Sequence, residues 1–194
     1  MHSFVEQQLI QEENIRRVVS MNEHFELQFG VANAQTWRKR AIEFMQLPVA
    51  DIFHSPDQEK LQNGVDFILS TPNSTTKTIV SPSPTIKALL SNNEIDFGIR
   101  LKNNGMFLDD YHQKSGQEYH KSSVYVHCKA GRTRSATLVA CYLIKKYNLT
   151  PEEAVAYIVS RRAQVLLHKK QWQAIRQFYQ SQILHRQVES LHFL

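Results

Sequence analysis

Residues 124 to 144 read as a β-strand, a tight loop and an α-helix in direct succession, and this junction constrains the fold more than any other stretch of the chain. Val124-Tyr125-Val126-His127 is β-branched and aromatic, as strands are. The run from Ser135 to Ile144 is almost wholly apolar and long enough to read as a buried helix. Between them lie Cys128, Lys129, Ala130, Gly131, Arg132, Thr133 and Arg134, which supply a thiol, one glycine and three cations. A strand that feeds a helix through a short loop belongs to an α/β architecture, and here it carries a cysteine at its mouth.

Backbone N–H groups converge at such a turn, and the helix dipole adds positive potential. A dianionic phosphate suits that position, and so does a thiolate. The chemistry implied is nucleophilic attack on phosphorus. Cys128 is the nucleophile, with its thiolate favoured by the helix N-terminus and the neighbouring cations. Arg134, six residues on, can curl back and grip two phosphoryl oxygens with its planar fork. Gly131 permits the bend. Lys129, Ala130, Gly131, Arg132 and Thr133 form the loop around the transferred group, and Lys129 and Arg132 add charge for a second anionic group nearby. Ser135 can hydrogen-bond the cysteine sulfur and help it leave. His127 is expected to orient the loop through its backbone, because its side chain should point away from Cys128. Cys128 alone would read as a small buried hydrophobe; the whole string at a strand-to-helix junction favours catalysis.

The signature His127-Cys128-x-x-Gly131-x-x-Arg134-Ser135 resembles that of the cysteine-dependent protein tyrosine and dual-specificity phosphatases. VYVHCKAGRTRSAT, TPEEAV, QEENIRRVVSMNEHFE, LPVAD and QEKLQNGVDFIL look like the mitochondrial branch that dephosphorylates phosphatidylglycerophosphate on the route to cardiolipin. The resemblance covers residues 5 to 70 and 123 to 182. It implies a short, mostly parallel central sheet flanked by helices, and an active site that uses neither metal nor cofactor. It also implies a mitochondrial location, at the matrix side of the inner membrane. The preferred substrate would be an anionic phospholipid. Alternatives are a phosphoprotein substrate for a dual-specificity enzyme, or a phosphate-binding pseudophosphatase without turnover.

Asp51 is the candidate general acid. It stands at the end of an expected strand, where ligands bind in open α/β sheets, and the family places its acid in a matching Val-Asp segment, here Ala50-Asp51. Asp57 is its rival. Glu23-His24-Phe25-Glu26 matches an acidic, aromatic family loop near the substrate pocket, with histidine and phenylalanine in place of glutamate and tyrosine. Glu23 and Glu26 are therefore candidates to order the pocket or to hydrogen-bond Arg134, against the alternative of a solvated loop.

One domain of 194 residues, 42% hydrophobic, can bury a sizeable core. No apolar run approaches the ~20 residues that span a bilayer. Two cysteines suggest a reducing compartment, and Cys141, roughly 10 Å or more along the same helix from the loop, is expected in the core. No His or Cys pair has finger-like spacing. The net charge of +5 favours an anionic partner, but no nucleic-acid module is recognisable. Arg161, Arg162, His168, Lys169 and Lys170 read as a solvated helix end, with contact to a membrane surface as the functional alternative.

The remaining expectations concern organisation. Residues 4 to 13 should be helical and Val18 to Met21 a buried strand. Trp37, Ala41 and Phe44 share a helical face, and a short strand from Phe44 runs to Asp51. Ser55-Pro56-Asp57-Gln58 reads as a capping box opening a helix that turns Leu61, Val65 and Ile68 inward. Thr150-Pro151-Glu152-Glu153 opens another, and a last helix from about Gln171 buries Trp172, Ile175 and Phe178. Residues 71 to 122, rich in Ser, Thr, Asn and Lys, have no counterpart in the family. They are expected to be an insertion into a single phosphatase domain, entering on the edge of the sheet opposite the mouth. The family's opening β-hairpin is absent ahead of Gln8. Glu6, Glu12 and Glu13 are unlike a transit peptide, so location rests on the resemblance alone.

Overall fold

Strand β5 (Gln117–His127) runs through the middle of a five-stranded sheet, with β1 (Ile15–Ser20) on one side and β4 (Gly105–Lys114) on the other. The edges are β2 (Glu43–Gln46) and β3 (Ile99–Lys102), giving the order β2-β1-β5-β4-β3. The computed structural model describes residues 10–28, 32–51, 54–70, 99–102, 105–114 and 117–191. Its labelled α-helices are α1 (Ala34–Arg38), α2 (Gln58–Leu69), α3 (Arg134–Tyr147), α4 (Pro151–Arg161) and α5 (Lys169–Leu191).

Both faces of the sheet are covered, and the two-residue period of the strands sorts the side chains between them. Val18, Tyr125 and Phe107 lie in register across β1, β5 and β4, and all three enter a smaller cluster with Trp37 and Ile42. Their neighbours Val19, Val126 and Met106 turn the other way into the main core. That core is completed by Leu61, Val65 and Ile68 of α2, by Leu138 to Ile144 of α3 and by Ile175 and Phe178 of α5. Every residue of α3 from Arg134 to Ile144 is buried, so the helix that follows the cysteine is the central helix of the domain. Cys141 lies in this core as expected, and burial pushes its thiol pKa up.

The sheet is mixed rather than mostly parallel. β2, β1 and β5 run parallel, whereas β5, β4 and β3 are successively antiparallel. The reason is connectivity: β3, β4 and β5 follow one another through short links, which suit antiparallel pairs, while parallel neighbours need a long crossover. Part of the 71–122 segment is thereby built into the sheet, since β3, β4 and the start of β5 fall within it; residues 71–98 lie outside the described residues. Gly105 pairs with His127 and Lys102 with Gly105, so the end of β3 and the start of β4 lie at the Cys128 end of the sheet and not at the opposite edge. Arg100 fastens these strands: it pairs with Asp109 (2.7 Å) and Glu13, and Ser123 Oγ donates to Asp109 (2.9 Å).

Three local expectations shift. Helix α1 stops at Arg38; Ala41 adopts a left-handed φ of 56°, and Phe44 belongs to β2. Burial of both Trp37 and Ile42 in the smaller cluster overrides the helical spacing. Strand β2 ends at Gln46, short of Asp51. Asp57, not Ser55, caps α2, its carboxylate accepting the Lys60 N–H at 2.8 Å, while the Gln58 amide reaches Ala174 instead of closing a box. The Thr150–Glu153 capping box forms as read, and α5 begins at Lys169 with Trp172 only half-buried. Of the expected helix at 4–13, residues 10–13 are helical and the rest lie outside the described residues.

Candidate active site

The cysteine loop is held between three walls. From below, β5 delivers Cys128 at its C-terminal end, and the Met21 N–H donates to the His127 carbonyl at 2.9 Å, joining the ends of β1 and β5. Within the loop, Gly131 takes φ 63°, a left-handed conformation that glycine adopts without penalty. That turn aims the Gly131 N–H at Cys128 Sγ, 3.2 Å away, and Ser135 Oγ lies 3.4 Å from the same sulfur. Two hydrogen-bonding groups therefore address a buried thiol at the start of α3.

Arg134 is completely buried. Glu26 grips it through both carboxylate oxygens, Oε2 to Nη1 at 2.7 Å and Oε1 to Nη2 at 3.1 Å. The carbonyls of Val49 (2.9 Å) and Met21 (3.3 Å) accept from Nη1. Asp51 Oδ1 stands 3.3 Å from Nη2. Burial opposes the charge of Arg134, but the Glu26 hydrogen bonds and the charges on Cys128 and Asp51 override it and hold its pKa above the ordinary arginine value. In return, the Arg134 hydrogen bond holds the Glu26 carboxyl below the usual range against burial, assisted by the Glu23 N–H. Arg134 Nε has no acceptor among the described residues, leaving one N–H of the fork for a phosphoryl oxygen.

The predicted residues thus assemble unevenly. Cys128, Ser135, Gly131, Arg134, Glu26 and Asp51 share one site. Glu23 contributes its backbone N–H to Glu26 Oε2 at 2.8 Å. Asp57, the rival candidate for the acid, caps α2. Lys129, Ala130 and Arg132 are exposed on the loop, and Thr133 is half-buried. Arg132 Nε donates to Gln164 O (3.0 Å) and Thr133 Oγ1 to Leu166 O (3.1 Å).

Those contacts reveal the third wall, which sequence reasoning missed. The segment joining α4 to α5 clasps the loop from outside, and Arg162, read as part of a solvated helix end, donates to Ala130 O at 3.1 Å. No spacing rule flags an arginine whose acceptor is a main-chain carbonyl; the carbonyls of Met21 and Val49 carry no side-chain signal either.

His127 is buried, with its ring stacked on Tyr125 (5.0 Å between centroids), which in turn stacks on Phe107 (4.7 Å). Burial holds the His127 pKa down to about 4, with the positive charge of Arg134 adding to it and a backbone hydrogen bond to Cys128 opposing. The imidazole is therefore neutral near pH 7. Tyr125 is pushed up to about 12 by burial and then by the negative charge of Cys128. Among the described residues no cluster of His, Cys, Asp or Glu could hold a metal ion, and no helix is long and apolar enough to cross a membrane.

Residues 86–181 match the model of the dual specificity phosphatase catalytic domain. The chain is 31% identical over 172 residues to the human phosphatidylglycerophosphatase and protein-tyrosine phosphatase 1, covering 89% of this chain and 63% of that protein. It is 49% identical over 65 residues to the Arabidopsis thaliana phosphatidylglycerophosphate phosphatase PTPMT1, covering 34% of this chain and 19% of that protein. The chain therefore spans less than two thirds of the length of these curated relatives. A crystal structure of PTPMT1 in complex with PI(5)P superposes with a TM-score of 0.65 at 28% identity, covering 94% of this chain and 88% of that one. The fold agrees with that of these solved structures and the family match spans the cysteine loop, so the chain belongs to the dual-specificity phosphatase superfamily and is similar to its PTPMT1-like members.

Proposed function

We propose that this protein hydrolyses phosphomonoesters through a phosphocysteine intermediate, with phosphatidylglycerophosphate as its preferred substrate. The observation that carries the reading is the convergence of Gly131 N–H and Ser135 Oγ on Cys128 Sγ beside an Arg134 fixed by Glu26.

In the first step Cys128 Sγ attacks phosphorus in line while the Arg134 Nε–H, rather than the two-pronged grip expected from the sequence, and the loop amides hold the equatorial oxygens. These donors stabilise charge that develops in the transition state, which is where electrostatic preorganisation acts most strongly. As the P–O bond breaks, the leaving oxygen takes a proton from Asp51. In the second step the Asp51 carboxylate takes a proton from water, which attacks the phosphocysteine. The sulfur departs as thiolate, stabilised by the hydrogen bond from Ser135 and the Gly131 N–H.

Kinship supports the lipid substrate and, with it, work at a membrane surface and a mitochondrial site. The cations Lys129 and Arg132, exposed on the loop, suit a headgroup with a second negative charge. The test is phosphate release from phosphatidylglycerophosphate in mixed micelles, with a phosphotyrosine peptide in parallel and Cys128→Ser as the blank. Lipid turnover that vanishes in the variant is expected. Preference for the peptide would move the protein to the phosphoprotein phosphatases, and silence on both from a folded chain would leave phosphate binding without turnover.

A further inference from the structure

Gln171 is completely buried at the start of α5 and makes two hydrogen bonds of different kinds. Its Oε1 accepts the His168 N–H at 3.0 Å. That is ordinary helix capping, with the third helical residue reaching back to the residue before the helix. Its Nε2 does something capping does not require: it donates to the carbonyl of His54 at 2.7 Å, across 117 positions of sequence. His54 lies three residues beyond Asp51.

The two bonds join the two sides of the site. On one side, the segment ending at His168 is the one that clasps the cysteine loop through Gln164 O, Leu166 O and the Leu166 N–H, which donates to Arg132 O at 3.1 Å. On the other, residues 54–58, which follow Asp51 closely in sequence, are fixed to α5 a second time, where the Gln58 amide donates to Ala174 O at 3.0 Å. The acid and the nucleophile have no shared secondary-structure element; besides Arg134, which reaches Asp51 from the loop itself, Gln171 touches segments adjoining both.

We infer that Gln171 is a positioning residue that sets the placement of Asp51 relative to Cys128 through the His54 carbonyl. This rests on Asp51 acting as the acid. A neutral amide is suited to the task, because it both accepts and donates and adds no charge to a site already crowded with ions.

The experiment compares two leaving groups. A p-nitrophenolate leaves readily without a proton, whereas an alkoxide needs one, so misplacing the acid slows alkyl phosphates selectively. Steady-state kcat/KM, which reports the steps through departure of the leaving group and not the phosphocysteine hydrolysis common to both substrates, is measured on p-nitrophenyl phosphate and on a soluble alkyl phosphate for the parent, Gln171→Met, Asp51→Asn and the double variant. Gln171→Met should lower kcat/KM on the alkyl phosphate by about tenfold to a hundredfold and on p-nitrophenyl phosphate by less than about threefold. In the Asp51→Asn background it should add nothing, because the group it positions is gone. An equal loss on both substrates, or additive losses, would overturn the inference. If Asp51→Asn itself shows no selectivity for the alkyl substrate, the acid assignment falls and takes this role with it. Thermal melting of Gln171→Met checks folding; Gln171→Glu keeps the acceptor for His168, and should show the same selectivity if the tie to His54 is the operative bond.

Discussion

Glu26 and Arg134, separated by 108 positions, meet in two hydrogen bonds of 2.7 and 3.1 Å, and this pair fixes the orientation of the arginine before any substrate arrives. Glu26→Ala should be among the most damaging substitutions in the site. It leaves a buried guanidinium without its counter-charge, a loss of about 3–5 kcal/mol in stability. Glu26→Gln keeps the shape and part of the hydrogen bonding and should lose less. Urea melts with kcat/KM for both variants give the comparison.

The pH dependence of stability has a defined sign. The His127 pKa lies at about 4 in the fold against 6.5 for the free side chain, because burial disfavours the charged ring. Below 6.5 the unfolded chain takes up a proton that the folded chain refuses. The contribution is therefore intact above 6.5 and is lost as pH falls toward about 4, amounting to about 3 kcal/mol at the limit. Glu26, held below 4.5, adds a further loss as pH falls below that value. Urea midpoints from pH 7 to 4 should fall accordingly, and His127→Phe should flatten the upper part of the slope.

Ser135→Ala removes the side-chain hydroxyl 3.4 Å from Cys128 Sγ. On the proposed mechanism that group assists the sulfur's departure, so the second step should slow by about tenfold or more while the first is spared. Rapid-quench kinetics with p-nitrophenyl phosphate should then show a burst matching the enzyme concentration; a uniform slowing without a burst would place Ser135 in the first step.

Gly105→Ala tests the tie between β4 and the catalytic strand. An added Cβ would lie 2.0 Å from Tyr125 Cε2, and the tyrosine ring is stacked on His127. The ring must move, so we expect about 1–3 kcal/mol of destabilisation by overpacking. Denaturant unfolding measures the loss, and near-ultraviolet circular dichroism reports the tyrosine.

Asp109→Ala cuts the network that holds β3 to β4 and β5 through Arg100 and Ser123. A loss of about 1–3 kcal/mol is expected, with faster hydrogen exchange across β3 than across β1.

What the chain declares locally, the structure repeats. The strand, cysteine loop and helix from Val124 to Ile144 were legible because each piece depends on neighbours within a few residues: β-branched strand formers, a glycine at the one left-handed turn, an apolar helix. The same holds for the Thr150 cap. The resemblance then supplied Asp51 and Glu26, which no local pattern links to Cys128. Long-range decisions stayed hidden. Trp37 and Ile42 broke an apparent helix because both found burial in the same cluster, and β3 and β4 joined the sheet because a polar segment had Arg100 and Asp109 to bind it there. Main-chain acceptors for Arg134, Arg162 and Gln171 have no sequence signature, since every residue carries the same carbonyl and only the tertiary fold chooses which one a buried donor meets. The sequence by itself thus determined the strand, the cysteine loop and the helix behind it, and with them the chemistry proposed for Cys128. The tertiary structure alone decided what holds the arginine and the acid in place, because that depends on which distant backbone is brought within hydrogen-bonding reach.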